Sequence, residues 1–204
     1  MSLINMHDLV LRSKANGPGT RMVVWVQGCS RRCPGCFNPE TQAFKGKKLI
    51  AVDDLINKAL MQEVDGITFS GGEPFGQAEA LAELAQRLRE HGLTVVCYTG
   101  YTLEELRAGN HADWTALLDQ VDLLIDGPFI QEQKCSEPYR GSANQKLHFL
   151  TGRIRPEEVE GNRQTAEFNL GADGTVMETG FPELPGMDAT MQEVSEILGK
   201  KKED

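Results

Sequence analysis

Three cysteines lie close together near the start of the chain, in the stretch VQGCSRRCPGCFNPET at residues 26–41. Cys29, Cys33 and Cys36 have the spacing CxxxCxxC, with no fourth cysteine nearby. Structural zinc sites usually have four protein ligands, whereas thiolates are the usual ligands of iron–sulfur clusters. Three thiolates would bind three irons of a [4Fe–4S] cluster and leave the fourth iron open to another ligand. The spacing therefore favours such a cluster.

Two alternatives use the same cysteines. A structural zinc would need a fourth ligand, for which Cys97 and Cys135 are the candidates, and the three thiols could also be unmodified. Cys97 lies in an apolar stretch and is predicted to be a core residue, whereas Cys135 lies in a polar stretch and is predicted to be incidental. The chain has five cysteines, and an odd number with three in one loop disfavours a disulfide framework.

A second motif, SGGEPF, occupies residues 70–75. A glycine turn followed by a helix beginning near Pro74 would explain it as structure alone. The functional interpretation is that Gly71 and Gly72 let the backbone approach a ligand closely while Glu73 binds a cationic group. The motif is weak evidence by itself and gains weight beside the cysteine triplet.

The elements that must position these motifs alternate between strands and helices. Apolar runs predict strands, and apolar residues at helical spacing predict helices, one of which has Leu81, Leu84, Ala85 and Leu88 on one face. A further helix opens at Thr102, with Glu105 completing a capping box. The predicted strands are 22–27, 66–70, 93–98, 121–126 and 146–150, and the predicted helices are 52–61 and 77–91. This alternation predicts an α/β fold with a parallel sheet, open or partly rolled into a barrel.

The end of the chain has a different pattern. Residues 166–181 read as two short strands joined at Asp173–Gly174, a strong hairpin signal, and a short helix is predicted from about Ala189 to Leu198. We find no repeat and no low-complexity linker. The sequence therefore predicts one domain over residues 1–204, with a C-terminal β-hairpin and a short helix.

The unusual residues follow the predicted parallel strands. The cysteine loop follows the first of these strands, and residues 70–75, 99–101 and 126–129 follow the next three. Because ligands in βα folds bind at the carboxyl ends of the strands, the four loops are expected to form one site.

Composition limits the possible environments. The chain has 204 residues and a formal net charge of −9, which argues against nonspecific binding to nucleic acid or to anionic membranes. It has no apolar run of the roughly 20 residues needed to span a bilayer, and its first residues lack the order of a secretory signal. We expect a cytoplasmic protein without nucleic-acid or membrane partners.

The motifs together resemble those of the radical S-adenosylmethionine superfamily, in which CxxxCxxC follows a first strand and GGEP a second. Residues 16–41 resemble more closely the small glycyl-radical-enzyme activases, including those of anaerobic ribonucleotide reductase. DGPF, YRGSANQ and DGTVMETGFP further along also resemble that group. The resemblance covers about residues 16–182 and leaves an extension of about 183–204. It implies a partial, open βα barrel that binds a [4Fe–4S] cluster and S-adenosyl-L-methionine.

The resemblance also implies residue roles. Cys29, Cys33 and Cys36 would be the catalytic cluster ligands. Asn16, Gly17 and Arg21 would border the cluster or the partner side. Independently of the resemblance, Arg31 and Arg32 lie inside the cysteine loop, where they would tune the potential of the cluster, receive an electron donor or partner, or be solvated surface residues. The residues expected to bind the cofactor are Phe37, Gly71, Gly72, Glu73, Pro74, Tyr98, Thr99, Gly100, Asp126, Arg140, Ser142 and Asn144.

The implied reaction is reductive cleavage of S-adenosylmethionine to a 5′-deoxyadenosyl radical, which then installs a glycyl radical on a partner enzyme. The expected partner is a glycyl-radical enzyme such as anaerobic ribonucleotide reductase, with reduced flavodoxin or ferredoxin as electron donor. Two alternatives stay open at the level of sequence. One is a radical enzyme that acts on a small molecule or a peptide, and the other is a non-catalytic module that binds zinc or a cluster.

Overall fold

The computed structural model describes residues 2–160, 166–170 and 176–180. The helices are α1 (Val52–Leu60), α2 (Ala78–Glu90), α3 (Leu103–Ala108) and α4 (Ala112–Leu118), and 3₁₀ turns cover Pro39–Thr41, Pro74–Gln77, Gln131–Gln133 and Pro156–Glu158. The strands are β1 (Leu3–Ser13), β2 (Arg21–Val26), β3 (Lys48–Ala51), β4 (Gly66–Gly71), β5 (Thr94–Tyr98), β6 (Leu123–Asp126), β7 (Lys146–Phe149), β8 (Ala166–Leu170) and β9 (Val176–Gly180). None of the helices in these ranges is long and apolar enough to cross a membrane.

The main sheet has seven strands in the order β3-β1-β2-β4-β5-β6-β7. Its centre, β2-β4-β5-β6, is parallel and consists of the first four of the five predicted strands. The α/β class with a largely parallel sheet is therefore confirmed. Strands β8 and β9 form a separate antiparallel hairpin, as predicted, whereas its Asp173–Gly174 turn and the helix predicted near 189–198 lie outside the described residues.

The flanking strands differ from a wholly parallel arrangement. Strand β7 is predicted correctly in position, but it pairs antiparallel with β6, with Asp126 opposite Lys146. Residues 127–145 between them contain one short 3₁₀ turn and no α-helix, whereas parallel strands are usually connected by a helix. On the other side, β1 and β3 are antiparallel additions that the sequence pattern did not predict. Irregularities between Met6 and Asp8 and between Val10 and Ser13 interrupt the alternation of β1 that would have marked it as a strand.

The two faces of the sheet have different neighbours. Met22, Val24 and Val26 of β2 belong to the large core shared with α1, α2 and α4, whereas Val23 and Trp25 point to the opposite face, where Met177 of β9 packs. Successive side chains of a strand alternate in this way. Helices therefore cover one face of the sheet, and the hairpin lies over part of the other.

Local signals set the helix boundaries as predicted. The buried face of α2 contains Leu81, Leu84, Ala85 and Leu88, and Gly92 follows that helix with φ +86°. Thr102 and Glu105 form both hydrogen bonds of the capping box that opens α3. Since α3 begins directly after the β5 loop, this cap fixes where that loop ends.

A buried arginine joins the amino ends of three parallel strands. The guanidinium of Arg21 donates hydrogen bonds to the hydroxyls of Thr68 and Thr94 and to the carbonyls of Pro18, Ile67 and Thr94, at 2.8–3.0 Å. The side chain is 1% exposed, and its burial lowers the pKa of Arg21 to about 10. The expectation that Arg21 borders the cluster is wrong, because Arg21 lies at the opposite edge of the sheet from the cysteine loop; a position beside the partner stays a prediction.

We expect Arg21→Ala to lower the free energy of unfolding by more than about 3 kcal/mol, because several buried acceptors would lose their donors. Urea unfolding followed by circular dichroism measures this change. The matched control is Arg107→Ala at an exposed position of α3, which should change stability by less than about 0.5 kcal/mol. Equal effects of the two substitutions would contradict the structural role of Arg21.

Candidate cluster and cofactor site

A cavity of about 290 Å³ lies at the carboxyl ends of the parallel strands. The structure brings all four predicted loops to it. Cys29, Cys33, Cys36 and Phe37 line it from the first loop, Gly71, Gly72 and Glu73 from the second, Tyr98, Thr99 and Gly100 from the third, and Gly127 and Phe129 from the fourth. Ten of the residues predicted to form the site therefore share one cavity.

The cysteine loop is held in place by its own ends. The backbone N–H of Gly28 donates to Thr41 O at 2.7 Å, and that of Cys29 donates to Gln42 O at 3.1 Å. The three thiols of Cys29, Cys33 and Cys36 are free and partly exposed. Burial raises the pKa of Cys29, so its thiol needs a bound cation to become a thiolate at neutral pH. The loop therefore presents three thiols that a metal centre would stabilise.

These thiols suit a cluster better than a single ion. Among the described residues, no three Cys, His, Asp or Glu side chains are close enough together to bind one metal ion. A zinc ion needs its ligands around one point, whereas each thiolate of a [4Fe–4S] cluster binds a different iron. The candidates for a fourth zinc ligand do not line the cavity: Cys97 is fully buried in β5, and the Cys135 thiol donates to Arg140 O. The donor set therefore fits a cluster with one open iron.

The two glycines of the second loop pack against the backbone that leads into the cysteine loop. A Cβ on Gly71, whose φ is +101°, would lie 2.6 Å from Val26 N, and a Cβ on Gly72 would overlap the carbonyl oxygen of Gly28. This proximity allows Gly72 N to donate to Val26 O and Glu73 N to donate to Gly28 O, both at 2.8 Å. The glycines thus fix the cysteine loop against the second loop, a role that the ligand-approach interpretation did not include.

Glu73 joins the second loop to the third. Its Oε1 accepts from the Thr99 hydroxyl at 2.8 Å and from Phe75 N at 3.0 Å, and its Oε2 accepts from Gly100 N at 2.8 Å. The side chain is 3% exposed, and burial, partly offset by these bonds, raises the pKa of Glu73 to about 7. A carboxylate offers about four acceptor positions, so Glu73 retains one for a ligand in the cavity.

Other aromatic and polar side chains line the cavity or lie next to it. The Tyr98 hydroxyl is buried and has no hydrogen-bond partner among the described residues, and burial raises the pKa of Tyr98 above its ordinary value. Buried polar atoms are normally paired, so this hydroxyl departs from the usual pattern. The rings of Phe37 and Phe129 pack at 4.7 Å between centroids, and the Arg31 guanidinium lies 4.7 Å from the Tyr101 ring centroid.

Five predicted cofactor-binding residues lie outside the cavity lining: Pro74, Asp126, Arg140, Ser142 and Asn144. Pro74 begins a 3₁₀ turn. The oxygens of Asp126 accept from Leu103 N at 2.7 Å and from Lys146 N at 3.2 Å, with His148 Nε2 2.9 Å from Oδ2. The Asp126 carboxylate therefore connects β6 to α3 and β7.

The other three hold neighbouring backbone in the loop before β7. Arg140 donates to Gln145 O at 3.0 Å, the Ser142 hydroxyl accepts from Ile130 N at 3.2 Å, and Asn144 donates to Pro128 O at 2.8 Å. The adjacent residues Gly141 and Gln145 line the cavity instead. The motif YRGSANQ thus reaches the cavity through residues that the sequence did not single out, and the cofactor contacts of its Arg, Ser and Asn stay predictions.

Sequence reasoning missed lining residues on antiparallel strands. These are His7 and Asp8 of β1 and Met177, Glu178, Thr179 and Gly180 of β9, together with Trp25 of the parallel strand β2. Asn16 lines the cavity and donates to the Thr179 hydroxyl at 2.8 Å, which ties the hairpin to the β1–β2 connection. The hairpin signal located β9 correctly, but no local signal indicated that it lies over the sheet.

Several known proteins are similar to this chain. Residues 15–148 match the family described as a 4Fe-4S single cluster domain. An anaerobic ribonucleoside-triphosphate reductase-activating protein of Vibrio cholerae is 36% identical over 164 residues, covering 72% of this chain and 99% of that protein. The protein of the same name from Escherichia coli K12 is 35% identical over 159 residues, with the same coverage. The solved structure of QueE from Escherichia coli aligns with 49% of this chain and 53% of its own, at 20% identity and a TM-score of 0.38.

We expect Gly72→Ala to lower the free energy of unfolding by about 3 kcal/mol, since the added methyl group overlaps the Gly28 backbone. Iron bound per chain after reconstitution should fall with it, because the cysteine loop rests on that contact. The matched control is Gly76→Ala in the same loop, where a Cβ meets nothing within 4 Å. Chemical unfolding and iron analysis of both variants make the comparison; equal stability would contradict the packing argument.

The raised pKa of Glu73 predicts a pH dependence of stability in the metal-free protein. The carboxyl of Glu73 loses its proton near pH 4.5 in the unfolded chain and near pH 7 in the folded chain. The contribution of Glu73 to the free energy of unfolding is therefore fully present below pH 4.5 and is lost as the pH rises through about 7. The expected loss is about 3 kcal/mol. Urea unfolding between these pH values should show that the free energy of unfolding falls less with rising pH in Glu73→Gln than in the native protein. An equal fall in both proteins would rule out Glu73 as the source of the pH dependence.

Proposed function

Because this chain belongs to the 4Fe-4S single cluster domain family and to the family of anaerobic ribonucleoside-triphosphate reductase-activating proteins, we propose that it installs a glycyl radical on a partner enzyme. It is a radical S-adenosylmethionine oxidoreductase whose cofactors are a [4Fe–4S] cluster and S-adenosylmethionine. The chemistry that these cofactors supply is one-electron cleavage of the sulfonium to methionine and a 5′-deoxyadenosyl radical. The observation that carries the proposal is that the three free cysteines and the GGE loop line the same cavity.

In this proposal Cys29, Cys33 and Cys36 bind the cluster and leave one iron for the methionine part of the cofactor. Glu73 binds the methionine amino group with its remaining acceptor position, and Gly71 and Gly72 line the same side. An ammonium beside Glu73 would lower the pKa of that carboxyl and favour its charged form. The carboxylate already receives three hydrogen bonds, so it is oriented before the cofactor arrives.

Other residues position the cofactor and exclude water. Tyr98 offers an unpaired buried hydroxyl, and Thr99 and Gly100 flank it from the third loop. Phe37 packs on Phe129 and offers an apolar surface to the nucleoside part. We infer that Pro74, Asp126, Arg140, Ser142 and Asn144 act through the loops that they hold.

The proposed substrate is a glycine Cα–H in a segment of a large partner enzyme, with anaerobic ribonucleotide reductase as the first candidate. We infer that the open sheet forms the partial βα barrel of the superfamily as a single domain, and that its uncovered side admits this segment. A reduced flavodoxin or ferredoxin in the cytoplasm would supply the electron. The name shared by the relatives supports this choice of partner.

The test is anaerobic 5′-deoxyadenosine formation by the reconstituted, dithionite-reduced protein with S-adenosylmethionine. We expect product from the native chain and from Cys135→Ala, whose thiol lies outside the cavity, but only background from Cys33→Ala. Addition of an anaerobic ribonucleotide reductase should then give a glycyl-radical signal in electron paramagnetic resonance. Purified protein with zinc in place of iron, and no product from any variant, would refute the proposal.

A further inference from the structure

The basic side chains of this acidic protein are concentrated beside the cysteines. Residues 29–48 contain five basic side chains and one acidic side chain, a formal charge of +4. The remaining residues contain 16 basic and 29 acidic side chains, a charge of −13. The segment around the cluster ligands is therefore a positive region on a negative protein, and such separation of charge steers partners of opposite sign.

The C-terminal half of this region lies against the first cysteine. Thr41 O and Gln42 O accept the backbone N–H groups of Gly28 and Cys29, and a Cβ on Gly28 would lie 3.0 Å from the Phe44 ring. A protein that contacts residues 43–49 would thus be separated from Cys29 by little more than Phe44 and Gly28.

Side-chain amides hold the backbone of this region while its side chains stay exposed. Gln27 Nε2 donates to Ala43 O at 2.7 Å, Asn5 Nδ2 donates to Lys45 O at 2.9 Å, and Lys47 N donates to Asn5 Oδ1 at 3.0 Å. Phe44 and Leu49 are nevertheless 71% and 65% exposed. Two exposed apolar residues among lysines, on a fixed backbone, have the composition of a protein-binding surface with an apolar centre and a polar rim.

We propose that this surface, consisting of Phe44, Lys45, Lys47, Lys48 and Leu49 and called here the basic edge, docks an acidic electron-donor protein. The inference rests on the proposed function and adds the location and charge of the donor site. In the docked complex one electron passes from the reduced donor to the cluster, so the donor is oxidised by one electron, and no bond is formed or broken and no proton moves.

The position of the basic edge favours the donor over the radical-accepting enzyme as its occupant. Residues 38 and 40–42 line the cavity, whereas residues 43–49 lie outside its lining. A substrate glycine must enter the cavity, but an electron donor needs only to approach the loop that holds the cluster. Electron-transfer complexes are typically small and transient, which suits an exposed edge of this size.

The experiment compares two charge-reversed double variants of the reconstituted holoprotein. Lys45→Glu/Lys48→Glu changes the basic edge, and the control Lys58→Glu/Arg107→Glu makes the same change in net charge at exposed positions of α1 and α3. Lys47 is left unchanged because its Nζ lies 3.0 Å from His7, which lines the cavity. The probe is a purified bacterial flavodoxin with an acidic isoelectric point, and the readouts are its affinity for the holoprotein and its rate of cluster reduction.

At low salt we expect the basic-edge variant to bind flavodoxin at least about tenfold more weakly than the native protein, and its cluster to be reduced at least about tenfold more slowly. Both differences should vanish near about 0.5 M salt. The control should match the native protein, and both variants should form 5′-deoxyadenosine normally with dithionite. Equal losses in both variants, loss of the dithionite reaction in the basic-edge variant, or no flavodoxin binding to the native protein would overturn the docking site. Absence of dithionite-driven product from the native protein would instead refute the proposed function, while the binding data would still test the docking site.

Discussion

The site depends on a close backbone contact between the ends of two neighbouring parallel strands. Gly72 N and Glu73 N donate to Val26 O and Gly28 O, so the GGEP loop continues the hydrogen bonding of β4 with β2 beyond the sheet. This continuation requires residues without side chains, because a Cβ on Gly71 or Gly72 would meet that backbone. The first cysteine follows Gly28 directly, so the contact of Glu73 N with Gly28 O also determines where the cysteine loop begins.

From this contact the site extends through one buried carboxylate. Glu73 follows the glycines and accepts hydrogen bonds from the third loop, so three loops form a continuous wall. Burial that raises the pKa of Glu73 to about 7 makes its charge costly until a cation arrives, which is the condition expected of a group that binds an ammonium. In the proposed function the same side chain provides structural support and binds the ligand, and its hydrogen bonds to the loops orient the carboxylate for that ligand.

Two of the antiparallel strands, β1 and β9, contribute residues to the cavity, whereas β3 does not. Strands β1 and β9 close the cavity from the face that the helices leave open, with Asn16 and Thr179 hydrogen-bonded between them. Strand β3 and residues 43–47 before it carry the lysines and do not line the cavity. In the proposed function, the substrate segment needs a protected cavity and the electron donor needs an exposed surface. The separation of the cavity from the basic edge would meet both requirements.

Sequence alone determined the cysteine triplet, the GGEP motif, the four parallel strands and their shared edge, because each is encoded by neighbouring residues. Spacing, apolar periodicity and the Thr102–Glu105 capping box act within a few positions of the chain. The tertiary structure decided the rest: the irregular strand β1, the direction of β7, the turn of Trp25 toward the cavity, and the burial of Arg21 far from the cysteines. Each of these depends on partners distant in sequence. Which of Asp126, Gly127, Ser142 and Gln145 reaches the cavity was likewise set by loop geometry and hydrogen bonds across strands, which no local pattern contains.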